Sequence, residues 1–332
     1  MIQRCQAIGF AFLLFAAGFS AGSDHEVAGV ETCRLLLIDS EDAEPYTSFR
    51  RAFSAELERL RCGADSGPAI TRHSIDNQEG LARRLWRTED TGGYDAVVVQ
   101  GTIAAAAVRD LVRQGDYSHP VFFANVTDPV ELDLIEVFDE PPSGRFTGIA
   151  YPVDIGERLR FVRDLFPDVE SLGLVHTTMP QSRTYNARLR EVLDQPEFQD
   201  LRLHAREVPF VSGGQGMTRS ISIAREEVSE LDSEVDVFLV PNDQMGADER
   251  YVRMVSEVAS SPLIGVDESN LDGPSGAVAA LYPPVDVAAE LLADKIVRYL
   301  AGEPFQQMFP RQLQGRPAIN PDRAEEFGLN ER

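Results

Sequence analysis

The sequence predicts an α/β protein built as two doubly wound parallel-sheet lobes. Three observations carry this. Short apolar runs alternate with helical apolar stripes along almost the whole chain. The alternation restarts near residue 150, giving two series of similar size with no long linker. The turns that follow the apolar runs are short and polar, as at the strand ends of open α/β sheets. The 332 residues, less a leader, match two domains on the usual length prior, and 43% hydrophobic residues are enough for a sizeable core.

The elements follow in order. Residues 1–22 read as a secretory leader: Arg4 gives a positive start, residues 8–19 an apolar core, and Ser20, Ala21 and Gly22 precede the polar Ser23-Asp24-His25. The run is short for a membrane span, and an uncleaved anchor is the alternative. Residues 34–39 are the first strand, and Tyr46, Phe49, Phe53, Leu57 and Leu60 mark the helix after it. Residues 69–75 alternate as a second strand, with Leu81, Leu85 and Trp86 on the next helix. Residues 94–100 form a third strand, apolar enough to be buried on both faces. Gly101-Thr102 opens a helix through Val108, Leu111 and Val112. Residues 121–124 are the fourth strand, where Asp128 and Pro129 suit the start of another helix. Residues 146–150 are a further strand, broken at Pro152.

The second series begins with a helix over 153–166, carrying Ile155, Leu159, Val162 and Leu165. A strand at 171–176, a helix at 182–193 and an alternating run at 201–208 follow. A glycine-rich loop, 213–216, leads into a helix to Leu231. Residues 235–240 are a strand, 245–259 a helix, and 262–266 and 277–282 two more strands. Val285, Ala288, Leu292, Ile296 and Tyr299 mark a long amphipathic helix that stops at Gly302-Glu-Pro304. The tail holds a strand-like piece, 307–313, and a short helix, 322–327.

Net charge −23, from 54 acidic and 31 basic residues, disfavours nucleic acid and anionic membrane surfaces as partners. Lys295 is the only lysine, so Schiff-base and P-loop chemistry have one candidate, on a helix face. No Gly-x-Ser-x-Gly elbow, P-loop or Gly-x-Gly-x-x-Gly follows a strand. The five histidines lack metal-ligand spacing. No catalytic residue, metal or cofactor is therefore assigned, and His176, at a strand end, reads as a hydrogen-bonded structural residue. Asn125-Val-Thr127 matches a glycosylation sequon but begins at a predicted strand end, and we discount it. Cys5 lies in the leader. Cys33 precedes the first strand and Cys62 follows the first helix, so both fall at one edge of a βα unit. In an exported chain they are a disulfide candidate, with two free thiols as the alternative.

Ligands in such sheets bind outside the carboxyl ends of the strands. That rule selects Asp39-Ser40, Gly101-Thr102, Thr127-Asp128, His176-Thr177-Thr178 with Ser182, Asn242-Asp243 and Asp267-Glu268. These turns are rich in hydroxyls and carboxylates and free of lysine and arginine. Hydroxyls and helix N-terminal N–H groups hold a carboxylate, while carboxylates hold an ammonium. A zwitterion such as an amino acid suits the mixture. Each turn taken singly is an ordinary helix cap; their joint placement makes a site. Tyr46, Tyr151 and Tyr282 are candidates for its wall, with core packing as the alternative. Closure would be a hinge motion at 150–153 and 281–284.

The run Phe122-Phe-Ala-Asn-Val-Thr-Asp-Pro-Val130, with Thr147-Gly-Ile149, resembles the hallmark of the tryptophan/tyrosine-type ABC transporter substrate-binding proteins. The likeness continues through the 153–166 helix with Pro167, Leu172-Gly-Leu-Val175, Val240-Pro-Asn-Asp243, Gly265-Val-Asp267 and Gly276-Ala277. It ends with Ala318-Ile-Asn320 and Phe327-Gly-Leu329, covering most of the mature chain. The resemblance implies a type I periplasmic binding protein-like fold with three crossings between lobes. One lobe would be 34–149 plus 283–304, the other 150–282 plus 305–332. It implies a non-enzymatic periplasmic protein delivering a small solute, often an amino acid, to an ABC permease in the inner membrane. Gly101 and Thr102 match the turn that meets the ligand, and Thr127 and Asp128 the central motif. Asn242 and Asp243 match the opposite polar pair, and Asp267 the turn after it. Two stretches bordering the cleft depart from the family pattern. Asp39-Ser-Glu-Asp-Ala-Glu-Pro45 replaces a His-Pro-type turn, and Leu281-Tyr-Pro-Pro284 lacks the usual glycine and tyrosine run. Ligand identity stays open, and so do two other readings: a sensor partnering a membrane kinase or receptor, and an exported enzyme using Asp128 or Asp243.

Overall fold

The computed structural model describes residues 30–64, 66–115, 117, 119–211 and 215–329. The leader with Cys5, and Gly213 and Gly214 of the glycine-rich loop, lie outside the described residues. No helix among the described residues is long and apolar enough to cross a membrane.

The first lobe is a parallel sheet in the order β2-β1-β3-β4-β5. Its strands are β1 (Arg34–Asp39), β2 (Ala69–Ser74), β3 (Ala96–Gln100), β4 (Val121–Val126) and β5 (Phe146–Ala150). Its helices are α1 (Tyr46–Arg59), α2 (Glu79–Thr88) and α3 (Thr102–Gln114). Side chains alternate across a strand, and that alternation splits the core. Leu36, Ile38, Val97, Val99 and Phe123 pack with α2 and α3 on one face. Leu35, Leu37, Val98 and Phe122 pack on the other with α1 and a helix from the far end of the chain. Truncating a residue such as Phe122 to alanine would cost about 3–5 kcal/mol.

The second lobe contains α4 (Ile155–Leu165), β6 (Ser171–Thr177), α5 (Pro180–Leu193), β7 (Arg202–Val208), α6 (Gly216–Leu231) and β8 (Val237–Leu239). It continues with α7 (Glu249–Val258), β9 (Leu263–Gly265) and β10 (Ala279–Tyr282). The chain then leaves this sheet. Helix α8 (Val285–Leu300) packs Ala289, Leu292, Ala293 and Ile296 onto the first lobe. It returns as β11 (Arg316–Ile319), antiparallel to β10, and α9 (Pro321–Ala324). The sheet order is β11-β10-β9-β8-β6-β7. Three crossings therefore join the lobes: β5 to α4, β10 to α8, and the segment between α8 and β11. Gln312 Nε2 donates to Pro152 O at 3.1 Å and Gly315 N to Glu157 Oε1 at 3.1 Å, tying the third crossing to the first.

Three local expectations need correction. Asp128-Pro129 starts a single turn and no helix, although Asp128 Oδ1 accepts from Val130 N and Glu131 N. Asp133 and Asp139 then adopt left-handed φ of 50° and 58°, which a right-handed helix excludes. Leu134 and Ile135 drop into the core instead. Residues 307–313 are not a strand: the chain there forms a short 3-10 turn, Phe305–Gln307, and a lone bridge from Arg311 to Ile149. Proline at 304 and 310 removes the donors a continuous ladder needs. Finally, 305–311 stay with the first lobe rather than crossing at residue 304. Phe305 packs on Phe122 and Tyr299, Met308 O accepts from Thr147, and Arg311 N donates to Gly148 O.

Cys33 and Cys62 are disulfide-bonded and buried, with Cα atoms 5.4 Å apart. The start of β1 and the turn after α1 do meet at one edge.

Candidate functional site

The carboxyl ends of β1, β3 and β4 face those of β6, β8 and β9 across a cavity of about 60 Å³. On the first lobe a buried polar row lies beneath it. Asp39 Oδ2 accepts from Arg50 Nη1 and Arg72 Nε, each at 2.8 Å. Asp39 Oδ1 accepts from Gln100 Nε2 at 2.9 Å, and Gln100 Oε1 accepts from Asn125 Nδ2 at 2.8 Å. Burial pushes the Asp39 carboxyl up from its ordinary value, and the two arginines offset part of that. Asn125 has φ 54°, a left-handed conformation that asparagine tolerates, where the β4–β5 register shifts.

Above the row, Ser40 Oγ accepts from Ala104 N at 2.9 Å, capping the first turn of α3. Thr102 Oγ1 accepts from Thr127 N at 3.2 Å. Gly101 joins β3 to α3 at φ 86°, and a Cβ there would stand 2.5 Å from Ser40 Oγ and 2.6 Å from the Tyr46 hydroxyl. The glycine supplies both a backbone angle and an empty volume. Burial pushes the Tyr46 phenol far up, so it stays neutral.

On the second lobe two aspartates behave differently. Asp243 is fully engaged: Oδ2 accepts from Thr177 N, Thr177 Oγ1 and Ser182 Oγ at 2.8–2.9 Å. Its Oδ1 accepts from Met245 N at 2.9 Å and Gly246 N at 3.1 Å. Asp267 Oδ1 is similarly capped, by Ser269 N at 3.0 Å and Ser269 Oγ at 2.8 Å. Among the described residues its Oδ2 meets the Tyr151 hydroxyl, at 3.4 Å. That distance is too long for a strong bond, so this oxygen keeps its capacity. Burial, then Asp267 itself, pushes the Tyr151 phenol well up and keeps it a neutral donor.

Of the residues expected from sequence, Ser40, Tyr46, Thr102, Thr127, Tyr151, Asn242, Asp243 and Asp267 meet at this cavity. Gly101 stands directly behind it. Thr177 and Ser182 brace Asp243 from within the lobe. Thr178 Oγ1 accepts from Phe210 N at 3.0 Å, outside the cavity lining. Tyr282 donates to Glu268 at 3.2 Å beside the second crossing, also outside the lining. Asp128 lines a second, larger cavity of about 240 Å³ at the lobe junction, where Arg188 Nε holds its Oδ2 at 2.9 Å. His176 Nδ1 donates to Thr177 O at 3.1 Å and is buried.

Glu44, Asn77, Asn125, Gln181 and Gln244 also line the cavity and were not selected. Asn77 ends the turn after β2, so the strand-end rule applied to every strand would have found it. Gln181 and Gln244 adjoin selected residues. Across the mouth Gln244 donates to Glu41, which also accepts from Asn77 Nδ2 at 3.0 Å.

The family model described as ABC transporter substrate binding protein matches residues 72–330. A tyrosine-binding protein from Clostridioides difficile is 26% identical over 189 residues, 54% of this chain. The match spans 50% of that relative, about half its length. Among solved structures, an ABC domain in complex with L-Trp from Streptococcus pneumonia has TM-score 0.71 at 18% identity, covering 90% of this chain and 96% of that one. A ligand-free, open substrate-binding protein with adhesive properties from Clostridium difficile has TM-score 0.69 at 17% identity, covering 91% and 96%. Caulobacter myo-inositol binding protein, bound to myo-inositol, has TM-score 0.58 at 16% identity, covering 95% and 100%. At these identities the likeness is one of fold: two lobes of the type I periplasmic binding architecture.

Proposed function

The chain belongs to the ABC transporter substrate-binding proteins, and we propose that it captures an amino acid or similar zwitterion between its lobes and delivers it to an ABC permease. That family binds solutes and is not a family of enzymes. The leader read from the sequence supports a periplasmic location.

The observation that carries the amino-acid reading is the Asp267 carboxylate. One oxygen is saturated by Ser269 and the other is left with a 3.4 Å contact to Tyr151. An ammonium supplies the charge-assisted donors that this oxygen lacks. The charged residues of the lining are Glu44, Asp243 and Asp267, with no lysine or arginine among them. A purely anionic solute is therefore disfavoured. The first lobe offers neutral groups for the carboxylate end. Thr102 uses a lone pair on Thr127 N, which leaves its O–H to donate, and the first turn of α3 contributes partial positive charge. A zwitterion gripped at opposite ends by opposite lobes is what makes closure favourable, because only the closed form makes both contacts. The relatives named for tyrosine and for bound L-Trp point the same way.

The test is a thermal-shift screen of the mature protein against the standard amino acids, simple amines, carboxylates and sugars. A solute at about a hundred times its Kd stabilises by ~2.7 kcal/mol, several degrees in melting temperature. At least one amino acid should shift the melt, and its decarboxylated amine should do so much less. A screen in which no amino acid shifts the melt overturns the reading.

A further inference from the structure

Helices α6 and α7 follow parallel strands and pack side by side over one core of the second lobe. Two cross-helix bonds fix their register. Near the helix starts Arg250 Nη1 donates to Thr218 Oγ1 at 2.9 Å, and two turns further on Arg225 Nη2 donates to Glu257 Oε2 at 3.4 Å. These bonds stand about 10 Å apart along the helices. Between them lies a surface groove of about 250 Å³, floored by the buried Ile221 and Met254.

Arg253 stands midway along this groove, at the level of Ile221 and Ser222. It is exposed, and among the described residues its guanidinium makes no hydrogen bond or ion pair. Its neighbours are like charges: Arg250 one turn earlier on α7, and Arg225 across the groove on α6. Like charges at one-turn spacing repel. Glu257, four residues on, is turned to Arg225, and Asp248 is taken up by Arg250. The groove thus gathers three guanidinium groups around one carboxylate, in a chain of net charge −23. Guanidinium forks match the oxygens of a phosphate, and the Ser222 hydroxyl adds a further donor. We propose that Arg253, with Arg225 and Ser222, binds a small phosphate-type oxyanion in this groove. The negative charge of the whole chain repels polyanions and anionic bilayers. A small free anion responds instead to the groups within a Debye length of about 8–10 Å. The groove shares no residue with the cleft cavity, so this is a second site on the second lobe alone.

The experiment is isothermal titration of the mature protein with inorganic phosphate, with ionic strength held constant by sodium chloride. The wild type should show one saturable site. Arg253→Gln should weaken it about tenfold or more, through the loss of a charge-assisted bond. Arg84→Gln removes an equal charge from an exposed position on α2 and should leave phosphate affinity within about twofold. A wild type without saturable binding, or equal losses in the two variants, overturns the proposal. So does a protein that sediments with phosphatidylglycerol vesicles yet gives no signal with free phosphate. The wild-type titration needs no variant to fold. Both replaced arginines are exposed, and thermal melts of the variants exclude a folding defect as the cause of any loss.

Discussion

Arg188 on α5 holds the Asp128 carboxylate at 2.9 Å from the opposite lobe, while the other oxygen of Asp128 accepts from Val130 N and Glu131 N. The most conspicuous aspartate of the sequence is thus a clasp between lobes, with both of its oxygens engaged. Asp128→Asn should leave solute affinity within about threefold, since a partly exposed ion pair contributes only ~0.2–1 kcal/mol. Titration of the variant checks this. A loss beyond about tenfold would move Asp128 into the binding site.

Asp243 and Asp267 should separate cleanly in a pair of measurements. Asp243→Ala strands buried donors from Thr177 and Ser182 and should destabilise by about 2–4 kcal/mol in urea unfolding. Asp267→Asn keeps the oxygen that Ser269 requires and should change stability by less than about 1 kcal/mol. It removes the charge facing the ammonium, and solute affinity should fall about 10- to 100-fold. Equal effects of the two variants on affinity and stability would contradict this division of labour.

Gly101→Ala should fail on two counts. The left-handed φ of 86° costs of order 1–3 kcal/mol for a residue with a Cβ. The methyl would also lie 2.5 Å from Ser40 Oγ and displace the cap on α3. Thermal unfolding should show a lowered midpoint together with lost binding. A variant as stable as the wild type that still binds would show that this corner relaxes freely.

Lys295 gives the pH dependence a sign. Burial, with Arg311 and Arg298 nearby, lowers its ammonium to about 8, and Nζ donates to Phe309 O at 2.6 Å. The unfolded chain holds that proton up to about pH 10.4. Between about pH 8 and 10 the unfolded state therefore binds more protons, and stability rises with pH. Wild type should gain on Lys295→Met by about 2–3 kcal/mol across that window, read from urea unfolding of both proteins at pH 7 and pH 10. A constant difference between the two proteins would rule out a depressed Lys295.

Much of this architecture was legible because its signals are periodic. β3 reads as a strand buried on both faces, and Ala96 to Gln100 are all buried. The restart of the pattern near residue 150 marks the first crossing. What escaped was set by single backbone choices: the left-handed residues Asp133 and Asp139 that abolish the expected helix, and the prolines that keep 305–311 off a sheet. At the site, strand-end position found Ser40, Thr102, Thr127, Asn242 and Asp267. It could not tell which aspartate keeps a free oxygen, because that depends on Thr177, Ser182 and Arg188, all remote in sequence from the carboxylates they fill.

The row from Asp39 through Gln100 to Asn125 carries direction as well as cohesion. Arg50 and Arg72 oblige Asp39 to accept, so Gln100 must offer it an amide hydrogen and turn its oxygen to Asn125. Asn125 in turn must spend a hydrogen on Gln100, which fixes the way its amide faces the cavity. The orientation of a cleft amide is thereby dictated by guanidinium groups outside the cavity lining. Neutralising Arg72, a partly exposed side chain on β2, would leave Arg50 alone to hold Asp39 an acceptor, and the direction of the whole row, down to the amide facing the solute, would then rest on that one guanidinium.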